Sequence, residues 1–231
     1  MLRIVATCAL LLVAARAHAQ ASATLTLASD DRYRGVSLSG SRPVLQLDVG
    51  VDDAAGDYAG AFASNARLDG HDTLRWQVYG GRAGRFAGGA SWDVGLRYTG
   101  FANLSGYGYP ELYAGIAGRR LGARVAYAWD YFGNRTDALY LGLDGEQPLS
   151  TRVRLLGHAG WLRMAGDGDA THASDARAGI AVHLGALDVQ LARTLLWTDS
   201  RRYRYGYARD GYPVGADALG DAWVVSISRA W

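Results

Sequence analysis

Apolar and polar residues alternate strictly along most of this chain, and a period of two is compatible with very few folds. From Thr73 to Gly80, Leu74, Trp76 and Val78 share one phase while Arg75, Gln77 and Tyr79 share the other. Successive side chains of an extended strand point to opposite faces, so the segment presents one apolar and one polar face. The pattern recurs with Leu45, Leu47, Val49 and Val51 opposing Gln46, Asp48, Gly50 and Asp52. It returns with Trp92, Val94, Leu96 and Tyr98, with Val125, Tyr127 and Trp129, with Leu139, Leu141 and Leu143, and with Ile180, Val182 and Leu184. No helical 3.6-residue period competes over a comparable length.

Turn residues between these runs predict twelve strands, at 22–36, 44–53, 57–66, 73–82, 89–101, 109–118, 121–131, 137–145, 152–164, 175–184, 187–198 and 220–231. Ten or fourteen strands remain compatible with the pattern. Their connections alternate in length. Tight ones at 53–56, 118–122 and 184–187 are interleaved with longer polar ones at 37–43, 67–72, 102–108, 132–136, 165–174 and 199–219. Short turns at one end and long loops at the other are the signature of an all-β, antiparallel, up-and-down transmembrane barrel.

The first nineteen residues read as a secretory signal: a basic start, an apolar run from Ile4 to Ala15, and the small-residue ending Ala17-His18-Ala19. The reading is therefore a signal at 1–19 and a single barrel domain at 20–231. The apolar run is shorter than the ~20 residues a spanning helix needs, and no later stretch reaches that length. The one cysteine, Cys8, lies inside the signal, so disulfide, thiolate and Cys-metal chemistry are not expected. All 24 basic residues are Arg. Removing Arg3 and Arg16 leaves 22 Arg against 22 acids, a neutral chain without the basic stripe that nucleic acids require.

A lipid-facing Arg at the midplane costs about 2–4 kcal/mol, which tests the phase of every strand. Arg75, Arg97, Arg124, Arg154 and Arg177 all fall on the polar phase. Arg163 and Arg229 fall on the apolar phase near strand ends, where a long side chain can reach headgroups. Arg193 is the misfit, since it shares a phase with Leu187, Val189 and Leu191; a bulge, a shifted strand limit or a thin region would each accommodate it. Tyr33, Tyr58, Trp76, Trp92, Tyr98, Trp129, Tyr131, Trp161, Trp197 and Trp223 are expected to form interfacial girdles. Trp223, Val225, Ile227 and Trp231 share one phase of the last strand, the pattern of a strand read by the outer-membrane barrel assembly machinery.

The stretch from Ser29 to Ser37 (SDDRYRGVS), then Pro43-Val44-Leu45-Gln46, then Tyr58 to Asn65 (YAGAFASN), closely resembles the N-terminal signature of the TorF-type porins of proteobacteria. Within it stand Ser29, Asp30, Tyr33, Arg34, Gly35, Ser37, Pro43, Gln46, Tyr58, Gly60, Ser64 and Asn65. Glu111 to Gly115 and the ending VVSISRAW are similar too. The likeness covers nearly the whole mature chain and is specific over its first 45 residues or so. Asp31 departs from it, because the family usually carries an aromatic there. The resemblance implies a porin barrel in the outer membrane of a Gram-negative bacterium.

Twelve strands ~4.8 Å apart and tilted ~40° enclose a backbone radius of roughly 12 Å. The leading expectation is a narrow channel for passive diffusion of small polar solutes, with a mixed-charge lumen formed by Arg75, Arg97, Arg124, Asp93, Glu111 and Asp130. The alternative is that these charges brace one another and plug the bore, leaving a structural barrel that meets outer-membrane lipids and lipopolysaccharide. Gly35 would permit a bulge or positive φ at the end of the first strand, and Arg32 and Arg34 would pair with Asp30 or Asp48, the segment serving chiefly to close the barrel. The loop from Ser200 to Pro213 interleaves Arg and Tyr and suits either lipopolysaccharide phosphates or an inward plug. Catalysis is not expected: His158 with Ser226 or Asp188 lacks any nucleophile motif. No metal site is expected either, since His158, His183 and Asp188 lack ligand spacing, and no cofactor is implied. Oligomeric state is left open.

Overall fold

The computed structural model describes residues 20–166, 170–198 and 219–231; the signal segment and the Ser200–Pro213 loop lie outside them. Twelve antiparallel strands close into a barrel: β1 (Gln20–Ala28), β4 (Val44–Asp52), β5 (Asp57–Leu68), β6 (His71–Arg85), β7 (Ser91–Phe101), β8 (Tyr109–Ala117), β9 (Leu121–Ala128), β10 (Asp137–Pro148), β11 (Val153–Ala165), β12 (Thr171–Leu184), β13 (Leu187–Thr198) and β14 (Ala222–Ala230). Each strand pairs with its sequence neighbours, and β1 pairs with β14 to complete the ring. The remaining two strands, β2 (Arg32–Tyr33) and β3 (Val36–Ser37), form a separate hairpin between β1 and β4. Full closure leaves no unpaired ladder, which is what hydrocarbon demands of a spanning sheet.

The alternation sorts as the phases require. Leu25, Leu27, Leu45, Leu47, Val94, Leu96, Leu141 and Leu143 all face outward and exposed, a belt that only lipid can cover. Trp76, Tyr98, Trp129, Trp197 and Trp223 flank it on the same outer surface. Three of the expected girdle residues are instead inside. Tyr131 is buried, Tyr58 bonds Tyr113 across the lumen, and Tyr33 belongs to the inner hairpin. Aromatics on polar phases or in loops carry no information about which side of the wall they occupy.

Arg193 does face outward, but not at the midplane. The β13–β14 ladder begins at the Thr194–Ala222 pair, next to the Arg193–Trp223 pair, so this point is a rim of the wall. There Arg193 reaches Asp221 at 3.4 Å and lies 5.7 Å over the Trp223 ring. β13 keeps its expected limits, 187–198, and pairs without a bulge at Arg193, so it is these two contacts at the end of the β13–β14 ladder that accommodate the arginine.

The hydrophobic core sits inside the long-loop end of the barrel. Val36 and Leu38 enter from the hairpin segment, and Leu68, Phe101, Tyr109, Leu162 and Met164 point in from the wall. Tyr131 and Phe132 come from the loop after β9, where Asp130, Phe132 and Arg135 all take positive φ to coil the chain inward. Tyr109 packs edge-on to Tyr131 at 4.8 Å and against Phe132 at 5.0 Å. Each such buried side chain contributes ~1.5–3 kcal/mol relative to exposure, so the mouth is closed by a packed core rather than by a loose loop.

Candidate functional site

The expectation that the first strand runs to residue 36 and merely closes the barrel is corrected by the structure. β1 stops at Ala28, and the chain turns into the lumen. Ser29 makes the last ladder contacts, donating its backbone N–H to the Val225 carbonyl at 2.9 Å and accepting the Val225 N–H on its hydroxyl at 3.1 Å. Asp30 then organises the hairpin: it accepts from Ser37 Oγ at 2.5 Å, Ser39 Oγ at 2.7 Å and Arg32 Nε at 2.5 Å. A strand ladder could not satisfy a carboxylate in this way; a compact turn can.

Tyr33 pairs with Val36, which leaves Arg34 and Gly35 as a two-residue turn with φ of 52° and 80°. Positive φ at both central residues is the requirement of the primed hairpin turns. Arg34 adopts it at a steric cost that its partners offset. At Gly35, a Cβ would stand 2.7 Å from Asp175 Cβ and 2.9 Å from Leu196 Cδ1. Only glycine brings the tip this close to β12 and β13.

The tip spans the lumen. On the far side Arg34 pairs with Glu111 of β8, which also pairs with Arg97 of β7. Glu111 is completely buried, so one carboxylate is held between two guanidinium groups away from bulk water. Arg34 also stacks over Tyr140 at 4.5 Å and Tyr33 at 4.8 Å, and Tyr33 Oη accepts from Arg97 at 3.4 Å. A second anchor joins Asp31 to Arg75 of β6 at 2.8 Å, with Gln46 donating to the same carboxylate at 3.1 Å. Burial raises the Asp31 carboxyl above its ordinary value, and the Arg75 charge counters this only in part. The expected partner Asp48 is occupied elsewhere, by Tyr79 Oη at 2.8 Å.

Most of the signature residues come together around this hairpin, while Tyr58 and Gly60 lie towards the turn end of β5. Ser29, Asp30, Tyr33, Arg34, Gly35 and Ser37 build it, and Gln46 grips it. Asn65 pins its exit by accepting the Leu45 N–H at 2.7 Å and donating to the Pro43 carbonyl at 3.1 Å. Ser64, buried beside it, donates to the Asn65 carbonyl at 3.0 Å. Gly60 supplies the flat seat on which the Tyr79 ring lies, and Tyr58 Oη meets Tyr113 Oη at 2.8 Å. The aim of this motif into the lumen escaped the sequence reading, although one signal was available. Asp30, Asp31, Arg32 and Arg34 place charge on both phases of the supposed strand, which no lipid-facing wall accepts.

Below the hairpin the lumen is polar and divided. Arg124 pairs with Asp93 at 2.9 Å, and Arg154 with Asp188 at 2.5 Å. His158 lies between Asp144 at 2.8 Å and Asp175 at 3.1 Å and meets Tyr140 Oη at 2.8 Å. It touches neither Ser226 nor Asp188, and no cluster of metal-ligating side chains occurs among the described residues. Of the expected lumen charges, Arg75, Arg97, Arg124, Asp93 and Glu111 all point inward. Asp130 does not: β9 ends at Ala128, and Asp130 is exposed in the following loop, accepting the Arg135 N–H at 2.8 Å. A cavity of ≈ 230 Å³ lies directly beneath the hairpin tip, and it adjoins one of ≈ 270 Å³ through Arg97 and Arg124 and one of ≈ 500 Å³ at the turn end through Asp144 and Arg177.

Solved structures with this architecture include the NanC porin (TM-score 0.58, 12% identity) and the KdgM porin (TM-score 0.55, 9% identity). Each likeness covers 91% of this chain and 99% of the other. The KdgM porin is also known in complex with disordered oligogalacturonate, with the same TM-score of 0.55. At such identities the likeness is one of fold. No curated protein matches the sequence. The family model of Gcw_chp, described as bacterial proteins of unknown function, matches residues 14–231, and the chain belongs to that family.

Proposed function

We propose that this chain is an outer-membrane channel of narrow bore for small polar solutes, closed in this conformation by its inward hairpin. The observation that carries the reading is the succession of charge-lined cavities that share Asp144 and Arg177 and lead from the turn end to the underside of the hairpin. A barrel that needed only to be rigid would fill this volume with side chains. The TorF-type resemblance and the fold shared with the NanC and KdgM porins support the same reading. The turn end would face the periplasm, the long loops and lipopolysaccharide the outside. The outward Trp223, Val225, Ile227 and Trp231 would present the last strand to the assembly machinery. No catalytic step is part of this reading.

The test is planar-bilayer recording of the full barrel beside a variant in which residues 32–39 are replaced by a Gly-Ser linker. Both must show the mobility shift of a folded barrel on cold SDS gels. The expected result is rare, small conductance steps for the parent and frequent, larger ones for the variant. Silence from both folded proteins overturns the channel. That outcome would favour a second reading, a non-conducting barrel, which the buried Glu111 network itself supports.

A further inference from the structure

The lumen wall is not uniform. On the β6–β11 side the polar groups are spent on one another, through Arg97–Glu111, Arg124–Asp93, Tyr58–Tyr113 and the His158 cluster. On the β12–β14 and β1 side Asp188 engages Arg154 and Gln190, but other polar groups are left without partners. Arg177 is exposed to the lumen and makes no hydrogen bond or ion pair among the described residues, unlike the other strand arginines just named. The carboxylates near it, Asp175 two residues along β12 and Asp144 beyond His158, are both engaged by His158.

Thr194 is the direct cross-strand partner of Arg177. It is buried, 4% exposed, and its hydroxyl has no hydrogen-bond partner. An orphaned buried hydroxyl is uncommon, because leaving it unpaired costs about 1–3 kcal/mol. Further along the same wall Ser226 is paired with Gln190, and Ser228 with Thr26. These hydroxyls too make no side-chain hydrogen bonds among the described residues. Small inward residues, Gly179, Ala181 and Ala192, leave room in front of them. The outcome is a cavity of ≈ 240 Å³ lined by hydroxyls, amides, the Arg177 guanidinium and, on its hairpin side, Asp30, Asp31 and Arg32, the two carboxylates being neutralised within the Arg32–Asp30 and Arg75–Asp31 pairs. Arg177 borders this cavity, the neighbouring one beneath the hairpin tip and the one at the turn end.

We infer that Arg177 and Thr194, with the hydroxyl wall of Thr26, Ser226 and Ser228 beside the Gln190 amide, form a binding site for a small polyhydroxylated anion. The guanidinium would take a carboxylate or phosphate through paired N–H donors. The Thr194 hydroxyl would donate to the same group, and the serine and threonine row would meet the solute's own hydroxyls. The site rests on the channel reading for its purpose, as the point where a solute is held on its way along the lumen. Its geometry needs no movement of the hairpin.

The test is calorimetric titration of the folded barrel in detergent with gluconate, and with sorbitol as the uncharged counterpart. The parent is expected to bind gluconate and to bind sorbitol at least tenfold more weakly. Arg177→Met should weaken gluconate by about tenfold or more, the loss of a charged hydrogen-bonding group. Arg177→Lys should recover part of it, and Thr194→Val should fall between. Each variant is checked for the cold-gel shift, so that misfolding is not read as lost affinity. Equal binding of sorbitol, unchanged gluconate binding by Arg177→Met, or no gluconate binding by the folded parent each overturns the site. Bilayer recording of the same preparations separates the two readings. A parent that conducts without binding gluconate sinks only the site; one that binds in an Arg177-dependent way without conducting sinks only the channel.

Discussion

Glutamine at position 111 would remove the one negative charge that two buried arginines share. Glu111 is 0% exposed, and both Arg34 and Arg97 point at it. Breaking a buried ion pair by removing one partner costs about 3–5 kcal/mol, most of it from the uncompensated charge left behind. Here two charges are stranded. Arg34→Met is a milder change at the same place. It deletes the hairpin's cross-lumen anchor yet leaves Arg97 and Glu111 as a neutral pair, so its cost is the lost charged hydrogen bond, about 1.5–3 kcal/mol. The two variants should therefore be ordered in overall stability, with Glu111→Gln the worse, while both free the hairpin. A shift of about 3 kcal/mol changes the ratio of docked to undocked hairpin by roughly two orders of magnitude. Urea unfolding of vesicle-folded protein, followed by tryptophan fluorescence, reads the first quantity. Maleimide labelling of a single cysteine at Val36, fully buried in the hairpin, reads the second in a chain starting at Gln20. Labelling should rise at least tenfold in both backgrounds. If Arg34→Met destabilises the barrel as much as Glu111→Gln, or if labelling stays as slow as in the parent, the shared-carboxylate account is wrong.

Gly35→Ala should unseat the hairpin tip through both its φ of 80° and its collision with Asp175 and Leu196, raising labelling at position 36. Gly70→Ala, at φ 79° but with open space around it, should cost only the ~1–2 kcal/mol of left-handed strain and leave labelling unchanged. On the outer surface, Leu143→Arg should lose about 2–4 kcal/mol in vesicle-based unfolding. Arg193→Leu should stay within about 1 kcal/mol of the parent, because its rim pair with Asp221 is exposed.

The wall was legible because a strand repeats one instruction. Leu74, Trp76 and Val78 against Arg75, Gln77 and Tyr79 is enough to set the inward and outward faces of β6, and its neighbours carry the same code. Strand limits were recovered best where glycine and charge punctuate the run, as at Leu187–Thr198. They failed at residues 29–36, where a hairpin of two-residue strands alternates too briefly to be told from a continuing strand. They also failed at Asp130, whose placement depends on departures into positive φ at Asp130, Phe132, Gly133 and Arg135 that sequence periodicity does not encode. Five of the six expected inward charges do point into the lumen, but their pairing was not legible. Which guanidinium meets which carboxylate across a closed ring depends on the barrel's register and on the hairpin between them.

Wall and hairpin place different demands on the sequence. Any apolar residue serves outward, whereas Asp30 must accept three donors, Gly35 must lack a Cβ and Asn65 must bridge Pro43 and Leu45. Asp31, where the TorF-type resemblance leads one to expect an aromatic, is the informative position. Arg75 answers it at 2.8 Å and also lies 4.8 Å over the Phe62 ring. If the two are a matched exchange, Asp31→Phe alone strands a buried guanidinium and should cost about 3–5 kcal/mol. Asp31→Phe with Arg75→Met should recover most of that loss, since an apolar pair of similar volume often equals a buried ion pair. The two single variants should also differ in pH dependence. Burial already holds the folded Asp31 carboxyl above its unfolded value, so the folded state binds that proton more tightly. Arg75→Met removes the charge that pulls it down, and its penalty should shrink as pH falls and the carboxyl becomes neutral. The Asp31→Phe penalty should instead grow as pH falls, because the parent gains stability by binding the Asp31 proton more tightly when folded and the variant has no such group. Penalties for both single variants that run parallel from pH 8 to pH 4 would refute the exchange.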